Sequence, residues 1–183
     1  MRPSGRSRRA LLNALSAAFL AALAGIVATL ASWTSADAAE RFMARVEHVP
    51  DGDSLTVRSQ DGRRLKIRMA GIDAPEIGQP HADVSRDHLR SRIGDQPVEI
   101  DPVKNDPFGR LVARVWIGGE DLGLIQVSQG HAWHFERYEA EQTGRERTAF
   151  RQAQARARAE RVGLWNERNP TPPWDYRAAE RRR

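Results

Sequence analysis

The chain has 183 residues and a net charge of +5, from 29 lysine and arginine residues against 24 aspartate and glutamate residues. This length suits one domain with appendages and allows a buried hydrophobic core. The absence of cysteine excludes a scaffold held by disulfides, so stability must come from that core. Arginine outnumbers lysine by 27 to two, which suits phosphate recognition but does not by itself decide the function.

The first 38 residues have the order of an export signal. Four arginines lie in residues 1–10, an uncharged run of 23 residues follows at 11–33, and Ala36-Asp37-Ala38 offers a small-residue cleavage pattern. We therefore expect a signal peptide over 1–38 and a mature protein that is periplasmic or secreted. The alternative is a membrane anchor through residues 11–33, because an apolar run of that length can span a bilayer about 30 Å thick.

Three strands are predicted after the leader, because apolar and polar residues alternate in each of them. They cover residues 41–49, 54–59 and 63–70. Asp51-Gly52 and Asp61-Gly62 are turn signals that join them as hairpins. Gly71 then interrupts the alternation, and Asp73 and Glu76 follow within one short turn that contains a proline.

Helices and strands alternate in the middle of the chain. Helical periodicity predicts helices over 81–93 and 121–130, the second of them closed by Gly130 in the left-handed conformation. Strands are predicted at 97–100 and 110–117, with a polar loop between them.

The last predicted helix begins at a capping box formed by Thr143 and Glu146. Its buried stripe should be Phe150, Ala153 and Ala157, and Gly163 should end it. The six arginines of this region form either a solvated face or a clamp for nucleic acid. Residues 178–183 are expected to be a frayed basic tail.

Five short strands with interspersed helices indicate a mixed β+α fold. We expect a five-stranded β-barrel of the OB-fold type over residues 39–177, capped by about three helices. Binding of oligonucleotides is a frequent function of such barrels.

A group of acidic and basic residues suggests the chemistry. Asp53 lies just before the predicted strand 54–59, and Asp73 lies just after the predicted strand 63–70. Together they offer two carboxylates to a hard divalent cation, which takes oxygen ligands. Glu76 could hold a water molecule and accept its proton as general base. Arg68 and Arg110 could balance the charge on a phosphate, since a planar guanidinium binds phosphate through two hydrogen bonds. The group predicts metal-assisted hydrolysis of a phosphodiester.

Each residue of this group also has an ordinary structural interpretation. Asp51-Gly52-Asp53 is typical of a simple turn. Arg68 is typical of a solvated strand face, and Asp73 and Glu76 are typical of a solvent-exposed loop. Four histidines are candidate ligands of zinc, but their spacing gives a zinc site little support. They are His81, His88, His131 and His134.

The order and spacing of several short motifs favour the catalytic interpretation. The segments DGDS, IRMAGIDAPE, DPFGR, GHAW and GLW occur in this order, and together they resemble the staphylococcal nuclease (thermonuclease-like) family over about residues 41–177. The resemblance implies an OB-fold barrel with three helices that binds Ca²⁺. It also implies hydrolysis of DNA and RNA that leaves 3′-phosphates.

The resemblance assigns a role to each matching residue. It places the metal-binding aspartates at Asp53 and Asp73, a backbone carbonyl ligand at Ala74, the general base at Glu76, and the catalytic arginines at Arg68 and Arg110. Ala74 stands where the family commonly has threonine. Phe108 and Phe135 stand where many relatives have tyrosine, and Tyr138 remains as a second candidate substrate contact beside Phe108.

The leading hypothesis is therefore an exported, Ca²⁺-dependent nuclease with little sequence preference. We expect Glu76 to act as general base on a metal-activated water, and we expect unpaired DNA or RNA to be attacked most readily. The alternative is a catalytically weak module of the same fold that binds nucleic acid or a protein. Nothing in the sequence resembles a heptad repeat, so we expect a monomer with no stable protein partner.

Overall fold

A closed β-barrel organises the part of the chain that this computed structural model describes, residues 40–182. The expected signal peptide or anchor over 1–38 lies outside the described residues. Residues 39–183 group as a compact unit of their own. This unit contains its own core and can be studied without the leader.

Five strands form the barrel. They are β1 (Phe42–His48), β2 (Ser54–Ser59), β3 (Arg64–Met69), β5 (Val98–Asn105) and β6 (Leu111–Ile117). Their neighbours follow the order β3-β2-β1-β5-β6, and all of these pairings are antiparallel. A parallel pairing of β3 with β6 closes the barrel, with Ile67 opposite Leu111. The predicted OB-fold barrel is confirmed.

Three two-residue strands extend the framework. β4 (Ile72–Asp73) pairs with β8 (Trp133–His134), and β7 (Glu120–Asp121) pairs with the end of β6. The chain enters β4 through Gly71, whose φ of +74° is accessible to glycine at little cost. The predicted interruption at Gly71 is therefore a real turn.

Within residues 40–182, four α-helices and two 3₁₀ segments surround the barrel. The α-helices are α1 (Ala82–Ile93), α2 (Leu122–Ser128), α3 (Gly144–Glu160) and α4 (Pro173–Glu180), and the 3₁₀ segments are Glu136–Glu141 and Gly163–Asn166. Among residues 40–182, no helix combines the length and the apolar character needed to cross a membrane.

Two hydrophobic clusters hold these elements together. The larger one fills the barrel with alternate strand residues and receives Leu89 of α1, Leu122 of α2 and Phe150 of α3. The smaller one joins Trp133, Ala157, Leu164 and Trp165, with Trp174 of α4 packed against it. The second cluster therefore attaches the C-terminal segment to the strand pair β4–β8.

The structure corrects three details of the sequence prediction. β5 continues to Asn105 through the segment predicted as a polar loop, because a register shift between Pro102 and Lys104 accommodates the proline. α3 begins at the predicted capping box but ends at Glu160, before the predicted end at Gly163, and Arg161 follows it in the left-handed conformation. α4 was not predicted, and it includes part of the expected tail.

Candidate active site

The turn before β2 presents Asp53. Its backbone N–H donates to Asp51 Oδ1 at 3.0 Å, which gives the Asp-Gly-Asp segment its shape. Gly52 lies so close to α1 that a Cβ there would meet Ser85 Oγ at 1.8 Å. The carbonyl of Gly52 accepts a hydrogen bond from Gln126 Nε2 of α2 at 2.8 Å. The turn is thus held against two helices.

β4 places Asp73 beside Asp53. Backbone pairing with Trp133 fixes Asp73 in the short sheet, and its side chain is only 1% exposed. The next residue, Ala74, donates its backbone N–H to Asp53 Oδ2 at 2.6 Å. Ala74 was predicted to contribute a carbonyl to a metal, whereas the contact that joins it to the acidic pair is made by its N–H.

Arg68 lies on the polar face of β3 and bridges the two aspartates. Its Nη2 is 2.9 Å from Asp73 Oδ1 and 3.3 Å from Asp53 Oδ2. Its Nη1 donates to the carbonyl of Met69 at 2.9 Å, which fixes the plane of the guanidinium. The structure therefore brings together Arg68, Asp53 and Asp73 as the sequence predicted.

Glu76 completes the acidic group through a second arginine. Arg177 Nη1 contacts Glu76 Oε1 and lies 3.1 Å from Asp73 Oδ1, while its Nη2 lies 2.8 Å from Asp73 Oδ2. The backbone N–H of Glu76 donates to Gln79 Oε1 at 3.0 Å, which shapes the loop after Asp73. Three carboxylates and two guanidinium groups thus form one cluster, which we call the acidic cluster.

Burial governs the electrostatics of this cluster. Burial raises the pKa of Asp53, the nearby Asp51 and Asp73 raise it further, and Arg68 opposes the shift. Burial lowers the pKa of Arg177, but its hydrogen bonds and charge interactions with Asp73 and Glu76 outweigh this and raise the pKa overall. Negative charge at Asp53 is therefore costly unless a cation stays close to it.

The donor chemistry of the cluster fits a hard divalent cation. Asp53 and Asp73 converge within reach of one guanidinium, so the space between their oxygens already attracts positive charge. Two carboxylates leave the remaining positions of such an ion to backbone oxygens and water. In residues 40–182 no set of three or more histidine, aspartate or glutamate side chains is arranged to hold a metal. The assignment of Asp53 and Asp73 as ligands of a cation stays a prediction.

Arg110 lies outside the acidic cluster. Its Nε is 2.7 Å from Asp106 Oδ2, and its guanidinium lies 5.7 Å from the centre of the Phe108 ring. Asp106 Oδ1 also accepts the backbone N–H groups of Phe108 and Arg110, each at 2.9 Å. These contacts fix the turn between β5 and β6 and hold Arg110 half-buried at the start of β6.

The two predicted substrate contacts expose aromatic surface. Phe108 is 82% exposed on the turn before Arg110. Tyr138 packs edge-on against Phe135 at 4.9 Å between ring centres, and Lys104 Nζ lies 5.3 Å from its ring centre. The backbone of Phe135 donates to Gly71, so Tyr138 lies close to the loop that carries Asp73.

The histidines support the Asp-Gly-Asp turn. His131 stacks with His88 at 4.1 Å between ring centres, and its Nδ1 lies 3.0 Å from His81 Nε2. His88 contacts Gln126, the residue that binds the carbonyl of Gly52. These three histidines connect α1 and α2 behind the turn. His134 lies elsewhere and contacts Gln142 at 2.9 Å.

Sequence reasoning did not find Arg177 or Gln79. Pro173 at the first position of α4 is a helix-start signal that could have predicted this helix. No local pattern indicates that the helix faces carboxylates 104 and 101 residues earlier in the chain.

Comparison with known proteins gives consistent matches. A family model described as "Staphylococcal nuclease homologue" matches residues 66–167. A probable staphylococcal-like nuclease of Oryza sativa subsp. japonica is 38% identical over 119 residues, which are 65% of this chain and 31% of the relative. The chain thus spans about a third of the length of that rice protein.

Two bacterial relatives are covered over most of their length. An uncharacterized endonuclease of Haemophilus influenzae is 31% identical over 147 residues, covering 80% of this chain and 79% of the relative. A micrococcal nuclease of Shigella flexneri is 30% identical over 171 residues, covering 88% of this chain and 95% of the relative.

Proposed function

Because the chain belongs to the staphylococcal nuclease family, we propose that it hydrolyses phosphodiester bonds of nucleic acids at the acidic cluster. The observation that carries this proposal is the convergence of Asp53, Asp73 and Glu76 with Arg68 at one end of the barrel. Carboxylates that bind a cation and accept a proton, next to a guanidinium that binds phosphate, are the groups this hydrolysis needs.

Each residue of the cluster has a role in the proposal. Asp53 and Asp73 would hold Ca²⁺, with the backbone carbonyl of Ala74 as a further ligand. A divalent cation, when bound, neutralises charge on the phosphate and makes its phosphorus a better electrophile. Glu76 accepts the proton of the attacking water as general base, because its carboxylate lies at the edge of the cluster and is accessible to solvent.

The two arginines act on the phosphate. Arg68 is anchored at Met69 and directs a planar set of donors toward the cluster, where charge accumulates as the phosphorus gains a fifth oxygen. Arg110 is held by Asp106 at the neighbouring strand and approaches the same phosphate from the β5–β6 turn. In this proposal the bond between phosphorus and the 5′ oxygen breaks, the 5′ oxygen takes a proton from solvent, and a 3′-phosphate and a 5′-hydroxyl remain.

The substrate is proposed to be DNA or RNA with unpaired bases. Phe108 and Tyr138 offer exposed rings, and stacking on such rings suits every base without regard to sequence. A duplex keeps its bases stacked on each other and therefore cannot use these rings. The preference for single strands and the low sequence specificity follow from this proposal.

Assays with purified residues 39–183 test the proposal. Labelled single-stranded DNA and RNA are incubated with Ca²⁺ or with a chelator, and cleavage is followed on gels. We expect Ca²⁺-dependent cleavage and a loss of about 10²-fold or more in Glu76→Gln and in Arg68→Ala, the usual scale for a general base or a charge-stabilising group.

Matched controls distinguish catalysis from general damage. Glu47 of β1 also pairs with two arginines, and Arg64 lies on the same strand as Arg68. Glu47→Gln and Arg64→Ala should retain wild-type activity. Cleavage that continues in chelator, or that is equal in Glu76→Gln and wild type, would contradict the mechanism and favour a binding module.

A further inference from the structure

Arg177 reaches the acidic cluster because of how α4 is anchored. Pro173 occupies the first position of the helix, and Trp174 packs on Trp133 and stacks on Phe135 at 5.1 Å between ring centres. A residue three positions later lies on the same face of a helix. Trp174 therefore orients the face that carries Arg177 toward β4, and the guanidinium meets Asp73 there.

The contact with Asp73 uses both oxygens of that carboxylate. Arg177 Nη2 lies 2.8 Å from Oδ2, and Nη1 lies 3.1 Å from Oδ1, which Arg68 already approaches at 2.9 Å. Nη1 also contacts Glu76, the proposed general base. Arg177 thus binds one proposed metal ligand and the proposed base at the same time.

A second contact ties the same segment to the same loop. Gln79 accepts the backbone N–H of Glu76 and donates its Nε2 to the carbonyl of Thr171 at 2.6 Å. Thr171 and Arg177 both lie beyond residues 66–167, the part of the chain that matches the family model. The C-terminal segment therefore adds contacts to the acidic cluster that the matched region does not contain.

We propose that Arg177 and the divalent cation compete for the Asp73 carboxylate, so that α4 is a latch which the cation has to open. This inference rests on the proposed function, since it concerns the cation site of that function. A carboxylate bound through both oxygens by a guanidinium has little capacity left for a divalent ion. Two positive groups a few ångströms apart in a partly buried place also repel each other strongly.

The competition has a thermodynamic consequence. A cation that binds only when Arg177 has moved must supply the free energy of breaking the pairs with Asp73 and Glu76, and this reduces its apparent affinity. Removing the guanidinium removes that cost. A residue that merely organised the carboxylates would have the opposite effect, because its loss would weaken cation binding.

Calorimetric titration of residues 39–183 with Ca²⁺ distinguishes these cases. We expect Arg177→Ala to bind Ca²⁺ at least about tenfold more tightly than wild type. Arg181→Ala is the matched control, since it removes the same charge from an exposed position just after the same helix. Its affinity should remain within about twofold of wild type, because long-range attraction between exposed charges and ions is screened.

Hydrogen exchange of α4 gives a second measurement that does not depend on activity. Saturating Ca²⁺ should accelerate exchange of the amides of residues 173–180 in wild type. In Arg177→Ala the exchange should be fast with and without Ca²⁺. Arg177→Gln, which keeps the size and hydrogen-bonding capacity without the charge, should show both effects if the alanine variant fails to fold.

Two outcomes would overturn the inference, and they differ in what they mean for the proposed function. Equal or weaker Ca²⁺ binding by Arg177→Ala and Arg177→Gln, with wild type binding the ion, excludes the latch and leaves the cation site intact. Absence of Ca²⁺ binding in all variants excludes both the latch and the proposed cation site.

Discussion

Asp73 is the residue at which the contacts of the acidic cluster meet. Its carboxylate pairs with Arg68 from β3 and Arg177 from α4, while its backbone pairs with Trp133 in β8. The side chain and backbone of this one buried residue thus contact three separate parts of the chain. A shift in the position of any of these elements would therefore move the Asp73 carboxylate at the proposed cation site.

Protonation of the buried His131 should weaken the fold. Burial lowers the pKa of His131, the neighbouring His88 and His81 lower it further, and together they bring it to about 4. In the unfolded chain a histidine has a pKa of about 6.5. The unfolded state therefore binds more protons between these values, so the contribution of His131 to stability is lost as pH falls from about 6.5 to about 4.

Urea unfolding at pH 7 and pH 5 measures this effect. We expect wild type to lose up to about 2 kcal/mol more than His131→Asn between these pH values. Other groups that titrate in this range, among them His81, are present in both proteins, so the difference isolates His131. Equal losses in the two proteins would show that protonation of this ring is not linked to folding.

At the scale of elements, two glycines set the distance between the loop after α2 and the segment after α3. A Cβ on Gly163 would lie 2.2 Å from the carbonyl oxygen of Gly130, and a Cβ on Gly130 would lie 2.2 Å from that of Val162. The carbonyl of Gly130 also accepts the N–H of Leu164 at 2.8 Å. This close approach brings Leu164 and Trp165 into the second cluster.

Gly163→Ala should therefore destabilise the fold more than its φ alone requires. Gly118 has almost the same φ, +56° against +57° for Gly163, but open space around it. We expect Gly118→Ala to cost about 1 kcal/mol and Gly163→Ala at least about 2 kcal/mol more, because the second change also forces backbone apart. Chemical denaturation of both variants checks this, and equal costs would contradict the role of close approach.

Local sequence patterns predicted most elements because their causes are local. Alternation identified the strands that became β1, β2, β3 and β6, and the pair Thr143 and Glu146 forms both hydrogen bonds of a capping box at the start of α3. The extension of β5 was missed because the segment after residue 100 was predicted as a polar loop, whereas pairing with β6 carries the strand past Pro102. Pairing with β6, which the local pattern does not show, thus determines where β5 ends.

The candidate site likewise contains residues that local sequence identifies and one residue that only tertiary packing brings into place. Arg68, Asp73 and Glu76 lie within nine residues, so one strand and its following turn were enough to group them. Asp53 was grouped with them because it lies at the end of a neighbouring predicted strand, and the order and spacing of motifs that resemble one family supported this grouping. Arg177 could not be found, because its proximity to Asp73 results from the packing of Trp174 on Trp133 and Phe135. Such packing depends on side chains that are distant in sequence.

At the scale of the whole molecule, the charges separate into a leader and a folded unit. Residues 39–183 carry 25 basic and 23 acidic side chains, a net charge of +2, so most of the basic excess lies before them. We propose that residues 1–38 direct export and are removed. The charge pattern and the Ala36-Asp37-Ala38 segment support this proposal.

N-terminal sequencing of the protein from separated cell fractions tests the proposal. We expect a mature N-terminus near Ala39 in the periplasmic or secreted fraction. Replacing Ala36 and Ala38 by bulky residues should prevent processing and leave a longer form with the membrane, since signal cleavage requires small side chains there. A full-length chain in the membrane fraction of the wild type would instead support an anchor through residues 11–33.

The parallel pairing of β3 with β6 determines when during folding the proposed site is assembled. Arg68 lies on β3 and Arg110 directly precedes β6, so the segments that carry the two arginines become neighbours only when the barrel closes. Contacts between such distant segments form late, since a long loop must first be ordered. Under the proposed export, a chain that crosses the membrane before it folds would assemble the proposed site only after it has left the cytoplasm.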